Sequence, residues 1–207
     1  MRRVLLVRQA STRAMRRACF APDDPLDARG RSEAEALRAV LAGGGETLVS
    51  PCLAAFQTAS LAGRAPLVTV PALADCDYGR WSGRALDDVE RAEPDAVEAW
   101  LTDPDAAPHG GESVRALLAR VATWLEGQAQ RTGSVVAVTP GSFVKAAVVT
   151  AFDAPAAKFW RVDVAPASVT ELHARDGRWT VSRVNDRAAT CARAAAGGGS
   201  REGHARG

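Results

Sequence analysis

No apolar run in this chain approaches the roughly 18 residues a membrane-spanning helix needs. Behind Arg2 and Arg3 the apolar stretch is only Val4–Val7, so no secretory leader is expected. Cysteine is sparse: Cys19, Cys52, Cys76 and Cys191 share no C-x-x-C spacing, which excludes the common zinc and redox motifs. They are expected to stay as free thiols in a reducing compartment, the cytoplasm. Histidine is scarce too, with only His109, His173 and His204. The net charge of +2 comes from the last 18 residues, where Arg193, Arg201 and Arg206 face one acid, Glu202. The remaining body is neutral, and nothing in it suggests a nucleic-acid surface.

The 207 residues suit one domain of about residues 1–189, with an alanine-, glycine- and arginine-rich tail from 190 expected to be disordered. The most informative stretch is Val4-Leu5-Leu6-Val7-Arg8-Gln9-Ala10-Ser11-Thr12. Four apolar residues make a short buried strand that stops at an arginine and small polar residues. Ligands of α/β folds sit past the C-terminal ends of strands, so Arg8 aims a planar cation at the mouth of a crevice.

Further strands are expected at 47–49, 68–70 (an edge, flanked by Pro66 and Pro71) and 135–138, which is fully apolar and so central. A loop is expected over 10–29. Helices are expected at 30–42, capped by Asp27 or Ser32, and at 52–62 with Leu53, Phe56 and Leu61 as the apolar side. Others are expected at 85–92, 95–102, 112–130, 141–151 and 155–160. Val114, Leu117, Leu118, Val121 and Leu125 form the clearest helical stripe. Asp176-Gly177 joins two closing strands, 167–174 and 178–184, as a hairpin. The alternation implies a three-layer α/β architecture, a mainly parallel sheet with helices on both faces and an antiparallel C-terminal hairpin.

Six segments in order resemble the histidine phosphatase (phosphoglycerate-mutase-like) superfamily. "VRQAST" at 7–12 is similar to the strand-end signature Arg-His-Gly-Glu-Thr. "DPLDARGRSEAEAL" at 24–37, "SPCLAAFQTA" at 50–59, "LADCDYGRWSG" at 73–83, "HGGES" at 109–113 and "VAVTPGSFVKA" at 136–146 resemble the later family motifs. The resemblance implies a phosphoryl-binding pocket holding Arg8, Ser11 and Thr12, with Tyr78 and Trp81 on the adjoining loop. It implies no cofactor and no metal.

The same comparison implies a degenerate centre. Gln9 stands at the nucleophile position, Ala54 where a second arginine is expected, and Pro140 where a second histidine is expected. Asp75 takes the place of the acid. An amide cannot form a useful phospho-intermediate, and losing one stabilising contact typically costs about 10²–10³ in rate. Three readings follow. In the first, a non-catalytic member binds a small anionic ligand or a protein partner, with a dimer one option. The second is an enzyme of altered chemistry with Asp75 as acid or base, Gln9 as hydrogen-bond donor, and Cys52, whose place near a helix start could lower its pKa, or Cys76 as nucleophile; the favoured reading of both cysteines is small, buried, inert filler. The third is a residual phosphomonoesterase or mutase in which Arg13, Arg16 or Arg17 replaces the lost clamp. His109 and His173 match no motif position and are expected to be structural.

Overall fold

The computed structural model describes residues 1–20, 23–43 and 45–187; the expected tail and Cys191 lie outside these. Six strands form one sheet: β1 (Arg2–Arg8), β2 (Glu46–Val49), β3 (Leu67–Thr69), β4 (Gly133–Thr139), β5 (Val169–Arg175) and β6 (Arg178–Asp186). Their spatial order is β3-β2-β4-β1-β5-β6. The first four run parallel, while β5 pairs antiparallel with both β1 and β6. The proline-flanked strand is thus an edge and the apolar 135–138 run is interior, as its composition requires.

Alternate residues of a strand face opposite sides of its sheet, and β1 divides its side chains accordingly. Val4 and Leu6, with Val135 and Ala137 of β4, pack under helices α6 (Val114–Ala129) and α7 (Gly141–Ala151). Leu5 and Val7, with Val136 and Val138, pack under α2 (Ala28–Val40) and α3 (Leu53–Leu61). Both faces are covered, which explains the unbroken apolar runs of β1 and β4.

Local signals set the helix ends. Asp27 rather than Ser32 caps α2, its Oδ1 accepting from the Gly30 N–H at 2.8 Å. Ser113 caps α6 through the Ala116 N–H at 3.1 Å. Two expectations need correction. Within the 10–29 segment, Arg13–Arg16 forms a single-turn helix, α1, too short to show periodicity, with Thr12 Oγ1 accepting from Met15 N–H at 3.2 Å. And α3 buries Ala54, Ala55, Thr58 and Ala59, while Leu53 and Phe56 stay exposed. It packs close against α2 and against β2 and β4, where small side chains fit and large ones do not. Helices α4 (Leu86–Ala92) and α5 (Pro94–Thr102) are the remaining α-helices among the described residues and pack around a separate aromatic cluster.

Candidate functional site

Arg8 ends β1 and Gln9 follows it, Pro140 follows β4, and Pro51 and Cys52 follow β2, so three parallel strands open into one crevice. A cavity of ≈ 620 Å³ lies there. It is lined by Arg8, Gln9, Thr12, Cys52, Ala54, Asp75, Tyr78 and Pro140, which the sequence had pointed to from separate segments. The sheet brings them together because strand ends that are distant in sequence are neighbours in the ladder: Arg8 lies opposite Thr139, and Gln9 N–H donates to the Thr139 carbonyl at 3.0 Å.

Arg8 is fixed by its strand and by a hydrogen bond from Nη1 to the Val164 carbonyl. Gly141, the first residue of α7, lies against it: a Cβ there would come within 2.8 Å of Arg8 Nε. That Nε is buried and has no protein acceptor. Burial pulls the guanidinium below its ordinary pKa, and Asp75 and Asp163 oppose this. An arginine ionises far above neutrality all the same, so it enters the cavity as a cation.

Asp75 is embraced by donors. Oδ1 accepts from Ser142 Oγ–H, from the Cys76 backbone N–H at 2.8 Å and from the Tyr78 hydroxyl at 3.5 Å. Burial nevertheless pushes its carboxyl above the usual range, and the Ser142 and Cys76 hydrogen bonds and Arg8 offset this only in part. A carboxyl held up in this way keeps its proton to higher pH than a solvated aspartate.

Gln9 is buried, and its Oε1 accepts from the Cys52 thiol at 2.9 Å. The thiol itself is pushed up by burial, which fits an inert buried filler and not the lowered thiol that a helix start could give. Burial pushes up Cys76 too, helped by Asp75 and Glu112, and its Sγ–H donates to the Glu112 carbonyl at 3.3 Å. Neither is an activated nucleophile.

Several expected neighbours lie elsewhere. Ser11 does not line the cavity: its hydroxyl and N–H both donate to Glu33 Oε2, at 2.7 and 3.1 Å. Thr12 lines it but spends its hydroxyl oxygen on capping α1. Trp81 is fully buried in the aromatic cluster with Phe20 and Trp100, its Nε1–H donating to Glu93 at 3.3 Å. Arg13, Arg16 and Arg17 are exposed and line no part of the cavity, and Arg16 pairs with Asp27 at 2.7 Å. His109 is buried among Tyr78, Trp81 and Trp100, where Nδ1 accepts from Gly111 N–H at 3.0 Å. His173 sits on β5 beside Glu171.

Sequence reasoning overlooked four lining residues that matter: Lys145, Ser142, Asp163 and Trp160. Lys145 is one helical turn beyond Gly141, and its Nζ lies 5.7 Å from the ring centroids of both Phe159 and Trp160. Its signal was legible, since a lone lysine interrupts the apolar run Phe143–Val149 of α7. Asp163 carried no comparable signal. The cavity therefore holds two cations, a raised carboxyl and an aromatic wall, an arrangement that can hold an anion but presents no imidazole among the described residues.

A doubly covered α/β sheet with an arginine-bearing cavity beyond its parallel strands defines the class. Residues 4–187 match the model of the histidine phosphatase superfamily (branch 1), and the chain belongs to that superfamily. Among curated relatives, a bifunctional protein of Mycobacterium tuberculosis is 33% identical over 146 residues, covering 66% of this chain and 39% of the relative's length. Phosphoserine phosphatase 1 of Hydrogenobacter thermophilus is 26% identical over 114 residues, 54% of each chain. The fold matches a mycobacterial glucosyl-3-phosphoglycerate phosphatase with a TM-score of 0.81 at 24% identity, covering 90% of this chain and 100% of the other. A phosphoserine phosphatase mutant of Entamoeba histolytica in complex with phosphoserine superposes with a TM-score of 0.83 at 16% identity, covering 91% and 99%.

Proposed function

We propose that this chain keeps the fold and cavity of its superfamily but not phosphoryl transfer through a histidine, and binds a small anionic ligand in the cytoplasm without turning it over. One observation carries this reading: the two central parallel strands, β1 and β4, are followed directly by Gln9 and Pro140, where the family resemblance calls for histidines. The lone pair of an amide nitrogen is delocalised, so Gln9 offers no nucleophile, and Pro140 offers neither an imidazole nor a backbone N–H. Ala54 adds no cation to the wall. The raised thiols of Cys52 and Cys76 argue against a substitute nucleophile, and the three surface arginines after Thr12 do not reach the cavity.

Arg8, pre-organised by β1, and Lys145 on α7 support retained anion binding. The Entamoeba protein gives a parallel, since there a histidine-to-alanine mutant is found in complex with phosphoserine. The test is hydrolysis of p-nitrophenyl phosphate by the wild type against Gln9→Ala. Equal, background-level rates are expected; turnover that Gln9→Ala abolishes would overturn the proposal.

A further inference from the structure

The charges around the cavity restrict which anion fits. Arg8 interacts with Asp75 and Asp163, and Lys145 with Asp163 and Arg8. Nearer α1 and α3, Asp23 and Asp24 add two more carboxylates. Each is held by a backbone donor, Asp23 by Leu53 N–H at 2.6 Å and Asp24 by Ala14 N–H at 2.8 Å. Two cations thus face four acids. Arg8 and Lys145 counted against Asp163 alone leave at most one net positive charge, which can balance a monoanion and not a dianion. In a partly desolvated cavity an unbalanced charge is costly.

Donor geometry points the same way. Among the described residues Nη1 of the Arg8 guanidinium is taken by the Val164 carbonyl and Nε is buried against Gly141, so Nη2 is left to donate to a carboxylate oxygen. Much of the rest of the wall is apolar and aromatic. Trp100 and Trp160 meet edge to face with centroids 4.5 Å apart, and Tyr78 and Phe159 flank them. Such a surface binds rings and branched chains through area and quadrupole contacts.

We propose that the cavity's ligand is a monocarboxylate with an aromatic or branched apolar body, its carboxylate between Arg8 and Lys145 and its body on Trp100, Trp160 and Tyr78. The proposal rests on the reading that this site binds rather than hydrolyses. The full chain is titrated at pH 7.5 with 3-phenylpropionate, with phenyl phosphate, which is mostly a dianion there, and with phenethylamine. Tryptophan emission and calorimetry report binding, and free phosphate is measured in the same samples. The carboxylate should bind about tenfold more tightly than the phosphate ester, and the amine should not bind measurably. Trp160→Ala should weaken 3-phenylpropionate binding, and Arg8→Met should abolish it.

Asp163 is exposed, so Asp163→Asn leaves the fold intact while adding net positive charge. It should narrow the carboxylate preference by about threefold or more. Equal or tighter binding of phenyl phosphate, preference for the amine, or no binding of 3-phenylpropionate would each overturn the proposal. Phosphate release with the carboxylate preference intact would instead remove the non-catalytic reading and uphold the ligand class.

Discussion

Gly30 sits in the first turn of α2, where intrinsic propensity favours alanine over glycine by about 1 kcal/mol. The packing opposes that preference. A Cβ on Gly30 would fall 2.0 Å from the Ser11 carbonyl oxygen, about 1.3 Å inside an ordinary carbon–oxygen contact. No rotamer relieves a clash with backbone, and this carbonyl is held in place by the Asp27 N–H at 3.2 Å. The helix or the loop must move, loosening the Ser11–Glu33 hydrogen bonds that tie them. Overpacking of this kind costs about 1–3 kcal/mol, occasionally more. After the propensity gain, Gly30→Ala should destabilise by about 1–2 kcal/mol and lower Tm by about 2–8 °C in thermal melts. Gly127→Ala on α6 is the control: nothing lies within 4 Å of its added Cβ, so it should gain about 0.5–1 kcal/mol. A Gly30→Ala variant that melts at or above the wild type would refute the close approach of α2 to the strand-end loop.

Other expectations concern pH and the cavity. Burial, helped by Arg80 and opposed by Asp77, holds the His109 imidazole below its ordinary pKa. The unfolded chain therefore takes up this proton first, and stability should fall as pH drops below about 6.5; His109→Asn should flatten that slope in urea titrations. Glu171 is held down to about 2 by hydrogen bonds from Arg3 and Arg183. Its contribution should be present at neutral pH and lost as pH falls from about 4.3. Because both arginines are partly exposed, Glu171→Gln should cost only about 1–2 kcal/mol in a denaturant melt at pH 7. Gly141→Ala should displace Arg8 and weaken 3-phenylpropionate binding by about tenfold, read by calorimetry, with little change in Tm.

Much of this architecture was legible because β1 and β4 are apolar throughout and must be covered on both faces. The Asp176-Gly177 turn and the α6 stripe were equally direct. Pattern failed where small residues carry the packing, as on α3, where alanines rather than Leu53 and Phe56 face the core. The site was half legible. Strand ends gave Arg8, Gln9 and Pro140, because topology gathers strand ends. Ser11 and Trp81 lie near it in sequence yet are claimed by Glu33 and by the aromatic cluster. Lys145 comes from a helix face and Asp163 from a loop after the 3₁₀ segment Ala156–Arg161, and only the tertiary fold turns these toward Arg8.

The central claim is that no phosphohistidine forms in this cavity. The most direct measurement is trapping of protein-bound phosphate in alkaline SDS after mixing the full chain with radiolabelled acetyl phosphate, with acid then used to release the label, compared with Gln9→Ala and with the combined Gln9→His, Ala54→Arg, Pro140→His variant. The account predicts no acid-labile label on the wild type or Gln9→Ala, with label arising only where the histidines and arginine are restored. Stoichiometric acid-labile label on the wild type would contradict it.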